Sequence, residues 1–160
     1  MSKNKRPSNQ PNDIVSIVGR IVETAPNAEK GMDAVVELLH HRIPYYSWVG
    51  IYLMDGPDEL VLGPYRGKPS PHTRIPLNQG ICGAAASQKA TVIVPDVNSD
   101  PRYLACSLET KSEIVVPIMH GARCLGEIDI DSDQPDAFRT EDQLLLEAIA
   151  SKLAPFLAKS

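Results

Sequence analysis

No run of about 18 apolar residues occurs in this chain, so there is no membrane-spanning helix to place. No basic tract follows Lys3-Asn4-Lys5-Arg6, and 16 Lys plus Arg against 20 Asp plus Glu leave a net charge of −4. A nucleic-acid backbone or an anionic membrane surface would reward a basic patch, so neither is expected as a main partner. The N-terminal segment has no apolar core of the kind a secretory signal needs, which reads as a cytoplasmic protein with a flexible tail over residues 1–12. Cysteine is scarce: Cys82, Cys106 and Cys124 are three, and none falls in a C-x-x-C pair. An odd count without that spacing excludes a disulfide scaffold and a zinc finger, and the four histidines offer no H-x-x-x-H pair, so no metal site is expected. There are no internal repeats and no linker, leaving one domain over 13–160.

What is present is ordinary for a globular protein: 42% hydrophobic and 22% charged residues. A chain of this length buries roughly 70% of its unfolded surface and needs no staple to fold. Ile14, Val18, Ile21, Val22 and Ala25 follow helical spacing and predict a helix over 13–25, and Val35, Val36, Leu38 and Leu39 predict another over about 31–41. Two strands at 47–54 and 59–65 flank Asp55-Gly56-Pro57-Asp58, a turn composition, and so form a hairpin. A short helix follows Gly80-Ile81-Cys82-Gly83, a strand covers 91–94, and a loop rich in Pro, Asp and Ser runs to about Ser112. Strands at 113–119 and 124–130 follow. The closing helix starts at Thr140, whose hydroxyl is placed to cap, with Gln143 completing a capping box. Helices, then an antiparallel sheet, then a helix give an α+β domain with helices on one sheet face.

In Gly126-Glu127-Ile128-Asp129-Ile130-Asp131-Ser132-Asp133, strand alternation puts Glu127, Asp129, Asp131 and Asp133 on one face. A three-residue loop at 120–122 would set Glu113 opposite Asp129. Like charges across a ladder repel, so the acids need open water or a cation such as a substrate ammonium. Taken alone, they fit a solvated outer face. The even positions, Cys124 among them, form the apolar face, making Cys124 a buried, inert thiol. Cys82 falls at a helix N-terminus, where backbone N–H groups favour a thiolate, and Cys106 falls in a polar loop with Arg102 and Lys111 nearby in sequence. The two are either an attacking and resolving pair or incidental thiols.

Several segments taken together resemble the free methionine-(R)-sulfoxide reductases, which are stand-alone GAF domains. They are Trp48-Val49-Gly50-Ile51-Tyr52, Leu60 to Pro69, Arg74-Ile75-Pro76 with Gly80 to Gly83, Ala105-Cys106, Ser112 to Pro117 and Gly126 to Ser132. The match runs in order from about residue 13 to 158. It implies a central antiparallel sheet with the N- and C-terminal helices on one face and loops closing a ligand cavity on the other. It implies thiol-dependent reduction of free L-methionine (R)-sulfoxide, with Cys106 attacking the sulfoxide sulfur and Cys82 resolving the sulfenic acid. Trp48 and Tyr52 would wall the methyl-sulfoxide end, while Glu113, Asp129 and Asp131 would hold the amino group and polarise the oxygen, with Glu113 or Asp131 as proton donor. It further implies no bound cofactor, reducing equivalents from thioredoxin, and a homodimer. One departure stands out: many members carry another Cys just after Gly-Lys-Pro, where this chain has Ser70-Pro71-His72. Two other functions compete, a small-molecule-binding GAF sensor without catalysis and a redox-responsive regulator using a Cys82 to Cys106 disulfide.

Overall fold

The computed structural model describes residues 10–105 and 107–159. The elements are α1 (Gln10–Thr24), α2 (Ala28–Arg42), β1 (Trp48–Asp55), β2 (Glu59–Arg66), β3 (Arg74–Pro76), α3 (Gly80–Gln88), β4 (Val92–Val94), a 3-10 turn (Val97–Ser99), β5 (Ser112–His120), β6 (Arg123–Ser132) and α4 (Thr140–Ala158). One antiparallel sheet has the order β3-β2-β1-β6-β5-β4. The hairpin partners β1/β2 and β5/β6 thus meet in the middle, where β1 pairs with β6. The short strand β3 is absent from the sequence-based reading, because three residues carry no measurable period. The first helix begins at Gln10 rather than at 13.

The sheet separates two clusters of buried residues. On one face, Val49 and Ile51 of β1, Ile114, Val116 and Ile118 of β5, and Ile128 and Ile130 of β6 pack against apolar stripes of α1, α2 and α4. Each such Ile or Leu contributes about 1.5–3 kcal/mol by leaving water, so this layer is the main source of stability. On the other face, Trp48, Tyr52, Leu60, Ile75 and Val115 pack against Ile81, Cys82, Ala85 and Ala86 of α3. That second face carries α3 as well as loops.

Two local expectations shift by small steps. The cap of α4 is Arg139, whose backbone N–H donates to Asp142 Oδ2 at 2.8 Å, while Gln143 N–H closes the first turn onto the Arg139 carbonyl at 3.1 Å. Asp142 is also where Tyr46 donates its hydroxyl, at 2.7 Å, so this first-turn acid is a buried junction between α4 and the chain entering β1. The β5/β6 hairpin pairs His120 with Arg123 and carries a bulge between Ile118 and Met119. Glu113 therefore faces Asp131, and Val115 faces Asp129, two positions from the expected register. An even shift keeps Glu113 on the acidic face.

Candidate active site

The acidic face is not solvated. Glu113, Glu127, Asp129 and Asp131 are all 5% exposed or less, whereas Asp133 lies beyond the strand and is exposed, accepting from the Ser47 hydroxyl at 3.0 Å. What covers the acids is α3 with the segments flanking it. A narrow cleft opens there, walled by Tyr52, His72, Leu104, Cys82, Glu113 and Asp129.

Burial pushes the Glu127 and Asp131 carboxyls well above the usual range, with the Asp129 charge adding to both. Burial raises Asp129 as well, while its contacts with Glu113 and Cys82 pull the other way. Glu113 makes hydrogen-bonding contact with both Asp129 and Asp131. Carboxyl groups can share such contacts only with a proton between them, so the three form a proton-holding cluster. Among the described residues, Asp129 Oδ1 and Asp131 Oδ1 lack a hydrogen-bond partner. An orphaned buried oxygen costs about 1–3 kcal/mol. The face is therefore held in a costly state that a donor entering the cleft would relieve.

Cys82 sits in the first turn of α3 and is 5% exposed. The expectation of a helix-stabilised thiolate is corrected here. Burial first, then Asp129, Glu127 and Glu113, push this thiol well above its ordinary value, and the weak field of a nine-residue helix does not compete with three buried carboxyls. Cys124 departs from expectation too. The bulge at Ile118/Met119 alters the face presented at the end of the hairpin, and Cys124 is half-buried against the cleft-side cluster instead of the helix-side core.

Cys106 lies outside the described residues. Its sequence neighbours are placed: Leu104 lines the cleft, and the His72 ring donates from Nε2 to the Ala105 carbonyl at 3.1 Å. Leu104 also packs on Gly80, where an added Cβ would come within 2.8 Å of its Cδ1, and Gly80 itself has φ +72°. Glycine is thus needed twice at the point where this loop meets the helix carrying Cys82. Arg102, expected to act near Cys106, instead grips Asp100 through Nε at 3.0 Å and through a terminal nitrogen at 2.7 Å.

Strand β1 supplies the aromatic side. Trp48, Gly50 and Tyr52 share the cleft face and pair with Asp131, Asp129 and Glu127 respectively. Tyr52 donates its hydroxyl to the His72 carbonyl at 2.8 Å, and Trp48 donates Nε1–H to the Lys68 carbonyl at 2.9 Å. The indole stacks on Tyr65 with centroids 5.7 Å apart and planes at 18°. Of the expected residues, Tyr52, Cys82, Glu113 and Asp129 line the cleft itself, while Trp48 and Asp131 stand beside it on the same sheet face. Tyr65 and Glu127 were not among the expected site residues. Strand parity already pointed to Glu127, whereas nothing in the sequence placed Tyr65 behind the indole.

Comparison with known proteins gives the following. The GAF domain family matches residues 27–155. A free methionine-R-sulfoxide reductase of Escherichia coli (strain K12) is 36% identical over 121 residues, covering 76% of this chain and 72% of that protein. One of Saccharomyces cerevisiae is 45% identical over 117 residues, covering 71% of this chain and 62% of that protein. The crystal structure of free methionine-R-sulfoxide reductase from Neisseria meningitidis in complex with its substrate superposes with a TM-score of 0.88 at 32% identity, over 98% of this chain and 95% of that one.

Proposed function

Because the chain belongs to the GAF domain family and, within it, to the free methionine-R-sulfoxide reductases, we propose that it reduces free L-methionine (R)-sulfoxide to methionine in the acidic cleft beside α3. The observation that carries this reading is the burial of Glu113, Asp129 and Asp131 together with one oxygen each on Asp129 and Asp131 that lacks a donor among the described residues. An ammonium group brings three N–H donors and a positive charge, and answers both deficits at once. A methionine sulfoxide inside a polypeptide has an amide in that place, so the cluster selects the free amino acid. Trp48 and Tyr52 offer apolar surface for the methyl-sulfoxide end.

Cys106 attacks the sulfoxide sulfur while the proton held among Glu113, Asp129 and Asp131 passes to the oxygen, from Glu113 or Asp131. The oxygen then transfers to the Cys106 sulfur as the transient bond between the two sulfurs and the substrate S–O bond break, so that methionine leaves and Cys106 carries a sulfenic acid. The Cys82 thiol then attacks the Cys106 sulfur. A disulfide forms and water carries away the oxygen. A thiol held above its ordinary pKa suits this second role, because it does not compete for the sulfoxide in the first step. Thioredoxin would return two electrons by dithiol exchange, with no bound cofactor, in a cytoplasm that keeps thiols reduced. A homodimer completes the reading, and sedimentation of the purified chain tests it. Among the described residues no helix is long and apolar enough to cross a membrane.

The test is an assay of each methionine sulfoxide epimer with dithiothreitol, alongside thiol titration after one turnover. The (R) epimer is consumed and two thiols are lost per methionine formed. Cys106→Ser is inactive. Without dithiothreitol, Cys82→Ser releases one methionine per chain and leaves a sulfenic acid that dimedone traps. Consumption of sulfoxide by Cys106→Ser would refute the assignment of the nucleophile, and binding of a small molecule without turnover would favour the sensor.

A further inference from the structure

Cys82, Glu113 and Asp129 each offer one donor atom, and these three atoms lie within 4.8 Å of one another. They come from α3, β5 and β6, far apart in the chain, so no spacing motif announces them. All three side chains are more than nine-tenths buried. A second observation points the same way: Asp129 is 4% exposed, lines the cleft, and has an Oδ1 with no partner among the described residues. Proton sharing satisfies part of this cluster and leaves that oxygen out.

We propose that the cleft binds one zinc-like divalent cation through the Cys82 sulfur, Glu113 and Asp129, and that this ion and the substrate ammonium exclude each other. Zinc bonds to sulfur at about 2.3 Å and to carboxylate oxygen at about 2.0–2.2 Å, which separates ligands around a tetrahedral ion by roughly 3.3–3.8 Å. Closing onto the ion therefore asks for side-chain movements on the order of 1 Å. One sulfur and two carboxylates suit zinc or cadmium, whereas calcium and magnesium need shells made of oxygen alone. On binding, the Cys82 thiol gives its proton to solvent and the ion takes its place. Three protein ligands leave the fourth position toward the cleft. Such a site exchanges its ion, in contrast to a closed structural site. With its sulfur held by the ion, Cys82 cannot resolve a sulfenic acid. The binding rests on the cleft alone, and only the exclusion of substrate rests on the function proposed above.

The experiment titrates the full-length, reduced, chelator-stripped protein with cadmium chloride, following thiolate-to-metal absorption in the ultraviolet, and with zinc chloride by calorimetry. One ion binds per chain. Cys82→Ser removes the absorption, Asp129→Asn and Glu113→Gln each weaken zinc by about tenfold or more, and Cys124→Ser changes neither. Thermal unfolding of each variant shows that it is folded. Absorption that survives Cys82→Ser, or affinity indifferent to both carboxamide variants, overturns the site. Methionine sulfoxide added during the zinc titration raises the apparent Kd in proportion to its concentration. If that competition is missing while the cadmium band obeys the variants, the site stands and the exclusion falls. If the protein turns over sulfoxide but binds no ion, the catalytic reading stands and this inference is overturned.

Discussion

Ile128 and Asp129 are adjacent on β6, at 0% and 4% exposure, yet they do opposite things for the molecule. The isoleucine faces the helix-side cluster and gains from leaving water. The aspartate faces α3, has one oxygen without a partner, and is held near other carboxyls at a cost. Equal burial thus has opposite sign on the two faces of one strand. The helix-side layer stabilises the domain by enough to keep the cleft-side layer in a condition that only a ligand relieves.

The largest effect that would test this asymmetry comes from the helix side. Ile130→Ala opens a cavity at a side chain with no exposed surface, and a loss of about 2–5 kcal/mol is expected in denaturant unfolding. Activity per folded molecule should stay near wild type. A loss well under 1 kcal/mol would mean that the layer is not the main store of stability.

Asp129→Asn makes the matching change one position away and should give the mirror result. Replacing a costly buried acid with a neutral isostere leaves the unfolding midpoint unchanged or raised, while kcat/KM for the sulfoxide falls by about a hundredfold. If stability and activity dropped together, the two faces would not be divided as argued.

The contrast between the faces was partly legible in the sequence. Period-2 alternation placed Glu127, Asp129 and Asp131 together, and helical spacing found α1, α2 and α4, because both signals are local. Whether the acids meet water depends on what folds over them. That cover is α3 and segments distant in sequence, which no local pattern specifies. The register error has a local origin: the hairpin closes one residue tighter than expected, pairing His120 with Arg123, and the bulge at Ile118/Met119 adds a second step, so that together they move Glu113 from Asp129 to Asp131, while the bulge carries Cys124 to the cleft side. Cys82 was found at its helix terminus, but its electrostatics were set by carboxyls some thirty to fifty residues later in the chain.

A smaller effect separates the faces by pH. Glu127 and Asp131 have folded-state pKa values raised above their unfolded values. For such groups the native state keeps its proton while the unfolded chain releases it. Their contribution to stability is present below the unfolded carboxyl range near 4 and is lost as pH rises toward the folded values, by up to about 1.4 kcal/mol per group per pH unit. With chelator present, the metal-free protein should lose stability as pH rises above the unfolded carboxyl range. Glu127→Gln should gain on wild type over that rise. A difference between the two that stays flat with pH would show that Glu127 ionises alike in both states.

The gentlest probe changes neither charge nor the helix-side layer. Gly50 stands opposite Asp129, and the Trp48 ring lies across it so closely that a Cβ there would meet Cη2 at 2.3 Å and Cζ3 at 2.6 Å. Glycine serves here as space for an indole, in an ordinary extended strand. Gly50→Ala must therefore displace the ring from its stack on Tyr65 and lengthen the Nε1–H bond to the Lys68 carbonyl. Trp48 is the one tryptophan in the chain, so its fluorescence reads that movement directly, and a shift to longer wavelength is expected as the ring meets water. The carboxyl cluster stays in place. Loss of the wall should then raise KM several-fold while kcat holds within about twofold, the pattern of an interaction made equally with substrate and transition state. A shifted emission with an unchanged KM would remove the indole from the binding wall and leave the acidic face to hold the substrate alone.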